Sequence, residues 1–515
     1  MLQHTAETFA TDAAAYDFVP VCRRLLSDTM TPVTAFAKLD DGGPACLFES
    51  VIGGEKVGRY SFLVARPLRR FSAIKTDVTI QRFAGGQTTS VDRVQCADPI
   101  DLFRRDFGHS VAHRPGMPPF IGGAIGYASY DVVRYVEKLP HSPEDDRGLP
   151  DLDFSFYHDV CVFDHVDKTI WVICLADCQS IDSTGDANRA RALFAETQRR
   201  VQQIVDRLQS PSPVSTGGMD ADPPPADALR VTSNFDQPGF EEVVRRCVGY
   251  IRAGDVFQIV PSQRLSVRCD ADPLEVYRSL RVVNPSPFMF FVRTPDCTLV
   301  GCSPEIMCKV TDGVMTIRPL AGTRRRGRDE AEDRRLEEEL LADPKEKAEH
   351  VMLVDLGRND VGRVAKYGTV KLTEVMTVER YSHVMHISSE VQGTLRDDCD
   401  AFDALASALP AGTVSGAPKV RAMEIIDEIE PHRRGPYGGA IGYLDYRGNM
   451  DTCIALRTMV HVDDTYYVQA GCGVVADSDP AAEYQETINK AQAMVSAISL
   501  TVARTRGDKT TRVGT

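Results

Sequence analysis

No apolar run in this 515-residue chain approaches the roughly 20 residues that cross a bilayer, so no membrane span is expected. The opening MLQHTAETFATDAAAYDF lacks a basic stretch followed by an apolar one, which excludes a secretory signal of ordinary form. It also lacks Arg and carries Asp12 and Asp17, which argues against an organelle transit peptide and leaves the cytoplasm as the expected location. A basic surface is missing too: 59 Lys and Arg stand against 73 Asp and Glu, for a formal net charge of −14. Such a chain is not expected to bind nucleic acid or an anionic membrane, because neutralising phosphates needs the opposite balance. The phosphate-cradling pattern Gly-x-x-x-x-Gly-Lys-Ser/Thr is absent, and no Gly-x-Gly-x-x-Gly opens a helix after a strand, so nucleotide chemistry is disfavoured. The 14 cysteines form no Cys-x-x-Cys pair and no zinc-like grouping with histidine. The close pair Cys174 and Cys178 has no second pair to complete a metal site, and most thiols are expected to be buried and reduced.

What is present is core-forming material. Hydrophobic residues make up 43% and charged residues 26%, average values for a globular chain, and the length exceeds one ordinary core. Residues 209–230, centred on QSPSPVSTGGMDADPPPAD, lose all apolar periodicity and read as a linker. Residues 1–208 before it are rich in strand-like runs such as RYSFLVA and TIWVICLA, and close on a helix over 187–208. Residues 231–500 alternate strands, among them VFQIVPSQRLSV, and helices irregularly, which predicts an α+β domain of mainly antiparallel sheets, and 501–515 read as an unstructured tail. GGAIGY occurs twice, at 122–127 and 438–443. Chance and internal duplication both remain open, and duplication would give the two halves similar sheet topology.

Chemistry gathers in the second half. Within KEKAEHVMLVDLGRND, helical spacing puts Glu346, Glu349, His350 and Leu353 on adjoining ground. A second acidic pair, Glu483 and Glu486 with Lys490, lies opposite the apolar stripe of the last helix. Either pair alone is an ordinary solvated face, but four convergent carboxylates would need a hard cation, for which Mg²⁺ is the natural choice. Gly471, Cys472 and Gly473 precede that last helix, where backbone N–H groups could approach an anion or merely make a tight turn. Thr413 and Ser415 occupy a Gly-rich turn; capping explains Ser415 and leaves Thr413 unexplained. The run Arg324, Arg325, Arg326 is read as solvated or salt-bridged. His386 faces either a polar cavity or a hydrogen-bonded core position. Arg457, inside the apolar strand expected over CIALRTMV, calls for an anionic partner, and Glu305 in GCSPEIM poses the same problem for an acid, with structural pairing as the alternative to catalysis.

Taken together, NPSPFMFF, GCSPE, RPLAGTRRRG, DPKEKAEHVMLVDLGRND, LPAGTVSGAPK, GPYGGAIGY, DTCIALRT and QAGCGVV followed by EYQET resemble the chorismate-utilising enzymes, most closely the large-subunit group of the anthranilate synthases. The motifs span roughly residues 235–495 in the family's order, and CLFESVIGGEKVGRYSF extends the likeness into the first half. The resemblance implies Mg²⁺ as cofactor, bound around Glu346, Glu349, Glu483 and Glu486, with Glu349 and Glu486 as direct ligands. It implies that Gly322, Thr323, Tyr437, Arg457, Gly471, Cys472 and Gly473 contact chorismate, with Lys490 and Thr413 close by. Glu305 would protonate the departing C4 hydroxyl, and His386 would assist the later loss of pyruvate.

Two positions separate this chain from relatives. Isochorismate and salicylate synthases carry a water-activating Lys where this chain has Gln258, and aminodeoxychorismate synthases typically carry Lys where it has Ala321. Arg325, Cys472 and Phe48 depart from the usual Pro, Ala and Leu without removing a functional group. A Gly-x-Cys-x-Gly nucleophile elbow is absent, so ammonia is expected from elsewhere, and the resemblance implies a separate glutamine amidotransferase subunit in a hetero-oligomer, a heterotetramer. Glu49 and Ser50, with Pro287, Phe288 and Met289, match the family's tryptophan pocket, which makes 1–208 the regulatory part; an ordinary strand end is the plain alternative for Glu49 and Ser50. Rival readings are aminodeoxychorismate synthase component I and a catalytically silent tryptophan sensor.

Overall fold

The computed structural model describes residues 5–50, 58–181, 187–214, 229–381 and 384–512, with side chains to 505. Most of the expected linker, 215–228, lies outside the described residues. The described strands form one antiparallel sheet of eleven, another of twelve and a separate two-stranded pair, and each large sheet draws strands from both halves of the chain.

The halves meet along a seam in each sheet. In the first, Ala45–Glu49 pairs with Phe288–Arg293, setting Met289 opposite Glu49. Outward from that seam lie Tyr60–Ala65, Asp159–Asp164, Thr169–Asp177 and Phe18–Leu26 on one side. On the other lie Thr298–Ser303, Thr458–Val462, Thr465–Gly471 and Ser262–Arg268, the same order of hairpins in the same chain sequence. The second sheet repeats the plan. Gly123–Ala128, Leu152–Tyr157, Arg69–Ile74, Asp77–Ala84 and Gln87–Gln95 mirror Ala440–Asp445, Met450–Ile454, Ile306–Thr311, Val314–Ile317 and Val384–Thr394. This is the matched topology that an internal duplication requires.

The GGAIGY copies are themselves the seam of the second sheet, with Gly126 facing Gly442 across the antiparallel pair. A Cβ on Gly126 would strike the Asp153 carbonyl, and one on Gly442 the Asp451 carbonyl, so each copy needs its glycine for close strand approach.

Side chains alternate along the first sheet. Cys46, Phe62, Phe290 and Val292 point into the core shared with the second sheet, whereas Leu47, Leu63, Met289 and Phe291 pack under helices such as Pro32–Leu39 and Pro273–Val283. None of the 14 cysteines is in a disulfide. No helix among the described residues is long and apolar enough to cross a membrane. Two local expectations are corrected. Pro261 cannot donate to a ladder and splits the expected strand into Gln258–Ile259 and Ser262–Arg268. The last helix, Pro480–Arg512, runs into the segment 501–515 expected to be an unstructured tail, of which 513–515 lie outside the described residues. Thr501 lies 2.8 Å from the Ser279 hydroxyl, and Arg504 donates to Ser279 and pairs with Glu275, which ties this turn to the Pro273–Val283 helix.

Candidate active site

The chain crosses between the sheets at Pro304–Glu305 and again at Ala455–Arg457, and these crossings lie side by side. The Ile454 N–H donates to the Glu305 carbonyl at 3.0 Å, and the Cys302 N–H to the Arg457 carbonyl at 3.1 Å. An acid and a guanidinium are thereby set on adjacent crossings by backbone alone. Arg457 sits in the link and not, as expected, inside a strand; its φ of 47° is the left-handed conformation that breaks the ladder.

Glu305 is 6% exposed, and burial pushes its carboxyl up to about 8, against weaker opposition from the Leu320 N–H and the Thr413 hydroxyl. It is therefore protonated at neutral pH. The Thr413 oxygen is buried without a hydrogen-bond partner in the structure, poised beside this acid. His386, on Val384–Thr394, faces Thr323 across the strand pair. Its Nδ1 lies 2.9 Å from the Gly322 carbonyl and 3.1 Å from the Thr323 hydroxyl. A carbonyl only accepts, so Nδ1 carries the proton and Nε2 is left with a lone pair. Burial, and then the Arg457 charge, push this histidine down, while the Gly322 carbonyl works the other way. It is a neutral imidazole suited to moving a proton.

Arg457 is half-buried, and among the described residues no carboxylate pairs with it. Nearby, the Tyr437 hydroxyl crowds Gly471, where a Cβ would come within 2.9 Å, and Gly473 would clash likewise with Gln258. These glycines keep the floor open. The Gln258 amide stands 3.5 Å from Glu349, and its oxygen is buried without a partner.

A residue that sequence patterning missed holds these pieces together. The Arg434 guanidinium, fully enclosed, pairs with Glu430 at 2.6 Å and donates to the carbonyls of Val414 and Val260, while lying 5.6 Å from the centre of the Tyr437 ring. Its only signal was a charge beside GPYGG.

The acidic residues lie on two facing helices, Pro344–Val364 and Pro480–Arg512. Glu346 is held by Arg324 at 2.9 Å, and Glu486 by Lys490 at 2.7 Å. Glu349 and Glu483 are raised by burial first, and then by the carboxylates around them: Glu346 and Glu486 act on Glu349, and Glu486 acts on Glu483. One oxygen of Glu483 is buried without a partner. Among the described residues no three acidic, histidine or cysteine side chains converge tightly enough to cage an ion. What remains fits a hard cation that draws most of its oxygens from water and substrate. The arginine run is salt-bridged, Arg325 to Glu332 and Arg326 to Asp333.

At the seam of the first sheet a separate cavity of about 350 Å³ is lined by Phe48, Glu49, Ser50, Pro287, Phe288 and Met289, among others. Glu49 is buried and accepts from the Tyr277 hydroxyl at 2.6 Å and Arg281 at 3.2 Å. Ile306, next to Glu305, lines both this cavity and a small one of about 20 Å³ behind Glu305 and Thr413.

Residues 46–496 match the family model described as chorismate binding enzyme. The chain is 44% identical over 488 residues to an anthranilate synthase component 1 from Acetivibrio thermocellus, covering 94% of this chain and 96% of that protein. It is 46% identical over 492 residues to the namesake from Pseudomonas aeruginosa, covering 95% and 97%. Among solved structures it superposes on anthranilate synthase component I from Streptococcus pneumoniae with a TM-score of 0.73 at 37% identity, over 92% of this chain and 99% of that one. A menaquinone-specific isochorismate synthase from Escherichia coli, at 17% identity and a TM-score of 0.65 over 96% of this chain and 98% of its own, shares the fold.

Proposed function

The chain belongs to the chorismate-binding enzymes and acts on chorismate as an anthranilate synthase, and from that premise we propose how its residues divide the work. The observation that carries the proposal is a buried acid, protonated at neutral pH, on a crossing adjacent to that of a guanidinium which no carboxylate among the described residues claims.

Chorismate is a dianion, and Arg457 receives one of its carboxylates. Ammonia adds at C2 while the C4 hydroxyl leaves as water with the proton of Glu305. Thr413 steadies the same acid from the side. In the second stage the aminated ring loses its C2 proton and the enolpyruvyl group departs as pyruvate, giving anthranilate; His386, with Nε2 open, serves that proton transfer. Gly471 and Gly473 leave room for the ring against Tyr437 and Gln258. Gln258 cannot serve as a base for water, which supports amination over hydration, and Ala321 offers no amine to attack the ring, which supports anthranilate over the aminodeoxychorismate product. Glu349 and Glu486 would hold Mg²⁺, with Glu346 and Glu483 behind them, and the ion when bound would neutralise a substrate carboxylate.

The relatives' designation as component 1 supports a second component. We assign that role to a glutamine amidotransferase subunit supplying ammonia, in a cytoplasmic heterotetramer. The test is fluorescence-detected anthranilate formation from chorismate, Mg²⁺ and ammonium, with Glu349→Gln beside it. Wild type should form anthranilate, and the variant should need at least tenfold more Mg²⁺ for the same rate. Accumulation of an aminated compound without pyruvate would favour the aminodeoxychorismate reaction, and inertness the sensor.

The seam cavity supports feedback control by tryptophan. Its volume suits one indole amino acid, its apolar walls suit the ring, and Glu49 and Ser50 suit the amino group. The wall at Ile306 would carry occupancy to Glu305. Tryptophan should inhibit wild type, and Glu49→Gln should raise the inhibitory concentration about tenfold or more while uninhibited turnover stays within twofold. Equal inhibition of both proteins would remove Glu49 from the pocket.

A further inference from the structure

Lys490 occupies an unusual position among the four acidic residues. It follows Glu486 by one turn of the last helix, with Nζ 2.7 Å from the Glu486 carboxylate and donating to the Gly471 carbonyl at 3.0 Å. One contact is to an expected metal ligand, the other to the glycine floor of the substrate cleft. The same ammonium also acts on Glu349 and Glu483, drawing both carboxyls back toward the ionised form.

Arg324, the other cation at this cluster, is differently placed. It binds Glu346 at 2.9 Å, Asp343 at 2.8 Å, Glu339 at 3.2 Å and the Thr323 carbonyl at 3.0 Å. Asp343 caps the helix that carries Glu346 and Glu349, and Glu339 lies on the helix before it, so releasing Arg324 would unfasten two helices. Lys490 is bound by two groups, on a flexible four-carbon stem, and half of its side chain is exposed. It can leave Glu486 without disturbing the fold.

A divalent ion at Glu486 competes with the ammonium for that carboxylate and is repelled by its charge. The displaced ammonium, hinged beside Gly471, has a dianionic substrate within reach. We propose that Lys490 is a tethered counter-ion: in the resting enzyme it occupies Glu486, on metal binding it yields that carboxylate, and it then pairs with a carboxylate of the substrate. No bond forms or breaks; one ion pair is exchanged for two. The exchange makes metal and substrate bind cooperatively and keeps the acidic cluster neutralised while the site is empty. It rests on the magnesium reading above, and Lys490 is a positioning residue in the metal step and a binding residue in the substrate step.

The test uses the full chain without ammonia, so that nothing turns over, and Mn²⁺ as the metal probe in titration calorimetry. Wild type, Lys490→Met and Lys490→Arg are titrated with and without chorismate, after circular dichroism confirms equal folding. Without chorismate, Lys490→Met should bind Mn²⁺ about threefold tighter than wild type or better, because a positive charge beside the ligand is gone. Chorismate should tighten Mn²⁺ binding in wild type, by a factor that falls at least threefold in Lys490→Met and is partly restored in Lys490→Arg. Equal or weaker Mn²⁺ binding by Lys490→Met without chorismate overturns the exchange while leaving the metal site standing. A wild type that binds no Mn²⁺ even with chorismate overturns the magnesium reading, and the exchange with it.

Discussion

Replacing Glu305 by glutamine should lower anthranilate formation by about 10²–10⁴-fold, the usual contribution of a positioned general acid. The substitution keeps shape and removes only the proton. Hydroxide is a poor leaving group, so without a donor the C4–O bond must break against an unrelieved negative charge. The fold should not notice, because the wild-type side chain is already neutral at pH 7 and an uncharged amide takes its place. The sign of the pH effect follows from the direction of the shift. Burial raises this carboxyl to about 8, so the acid form is complete well below that value and is lost as pH climbs through it. Glutamine-fed turnover should therefore decline above about pH 8 in wild type. With ammonium salts that decline is masked from below, since free ammonia itself grows with pH. The glutamine variant should keep the ammonia-dependent rise and lose the fall. If it retained a tenth of wild-type activity, the acid would have to be sought elsewhere.

Much of this site was legible from sequence because its groups are of the kinds that do not hide. Glu305 and Arg457 are charges in apolar stretches, and a charge there demands a reason. Glu346, Glu349, Glu483 and Glu486 declared themselves through helical spacing. What spacing could not carry was how crossings between two sheets bring residues 152 positions apart, Glu305 and Arg457, to neighbouring backbone hydrogen bonds. Local pattern also misplaced Arg457 inside a strand, since CIALRTMV has strand composition throughout and nothing in it marks the left-handed turn. Arg434 was missed for the opposite reason: arginines beside a Pro-Gly turn are ordinarily solvated, and only the closed fold shows this one enclosed by Glu430 and two carbonyls. The GGAIGY repeat was visible as a string but ambiguous, and became meaningful once its copies proved to be paired across a seam with matching strand orders on either side.

The matched halves also explain where the two proposed sites lie. The seam is shared, so a cavity there touches strands of both halves, whereas the catalytic cleft belongs to the second half alone. The equivalent sheet crossings of the first half, at Arg66–Leu68 and His158, carry no acid, and their one guanidinium, Arg66, is already paired with Asp41. His158 is instead hydrogen-bonded to Tyr446 at 2.9 Å within an aromatic cluster that includes Phe18, and burial holds it down to about 4. One copy of the plan is filled with rings and the other kept open for a polar ligand.

Arg457→Met should have the second large effect, a fall in kcat/KM of about 10²-fold or more, expressed chiefly as a raised KM. A guanidinium paired with a substrate carboxylate in a desolvated cleft is worth about 2–5 kcal/mol on truncation, and each 1.4 kcal/mol is about tenfold. Part of that loss is the penalty of leaving the substrate anion unpaired, which is why an apolar replacement should be worse than lysine. Arg457→Lys keeps the charge but loses the planar fork and should recover about a tenth to a third of the lost kcat/KM. Folding should respond in the opposite direction. In the free protein no carboxylate among the described residues repays this half-buried cation, and its backbone stands at a φ of 47°, so the site is held ready at a cost in stability. Arg457→Met removes the unpaired charge and should melt no lower than wild type, while chorismate, which stabilises the wild type by mass action, should shift its melting temperature far less. An unchanged KM, or an unaltered chorismate shift, would mean that the substrate carboxylate is met by another group.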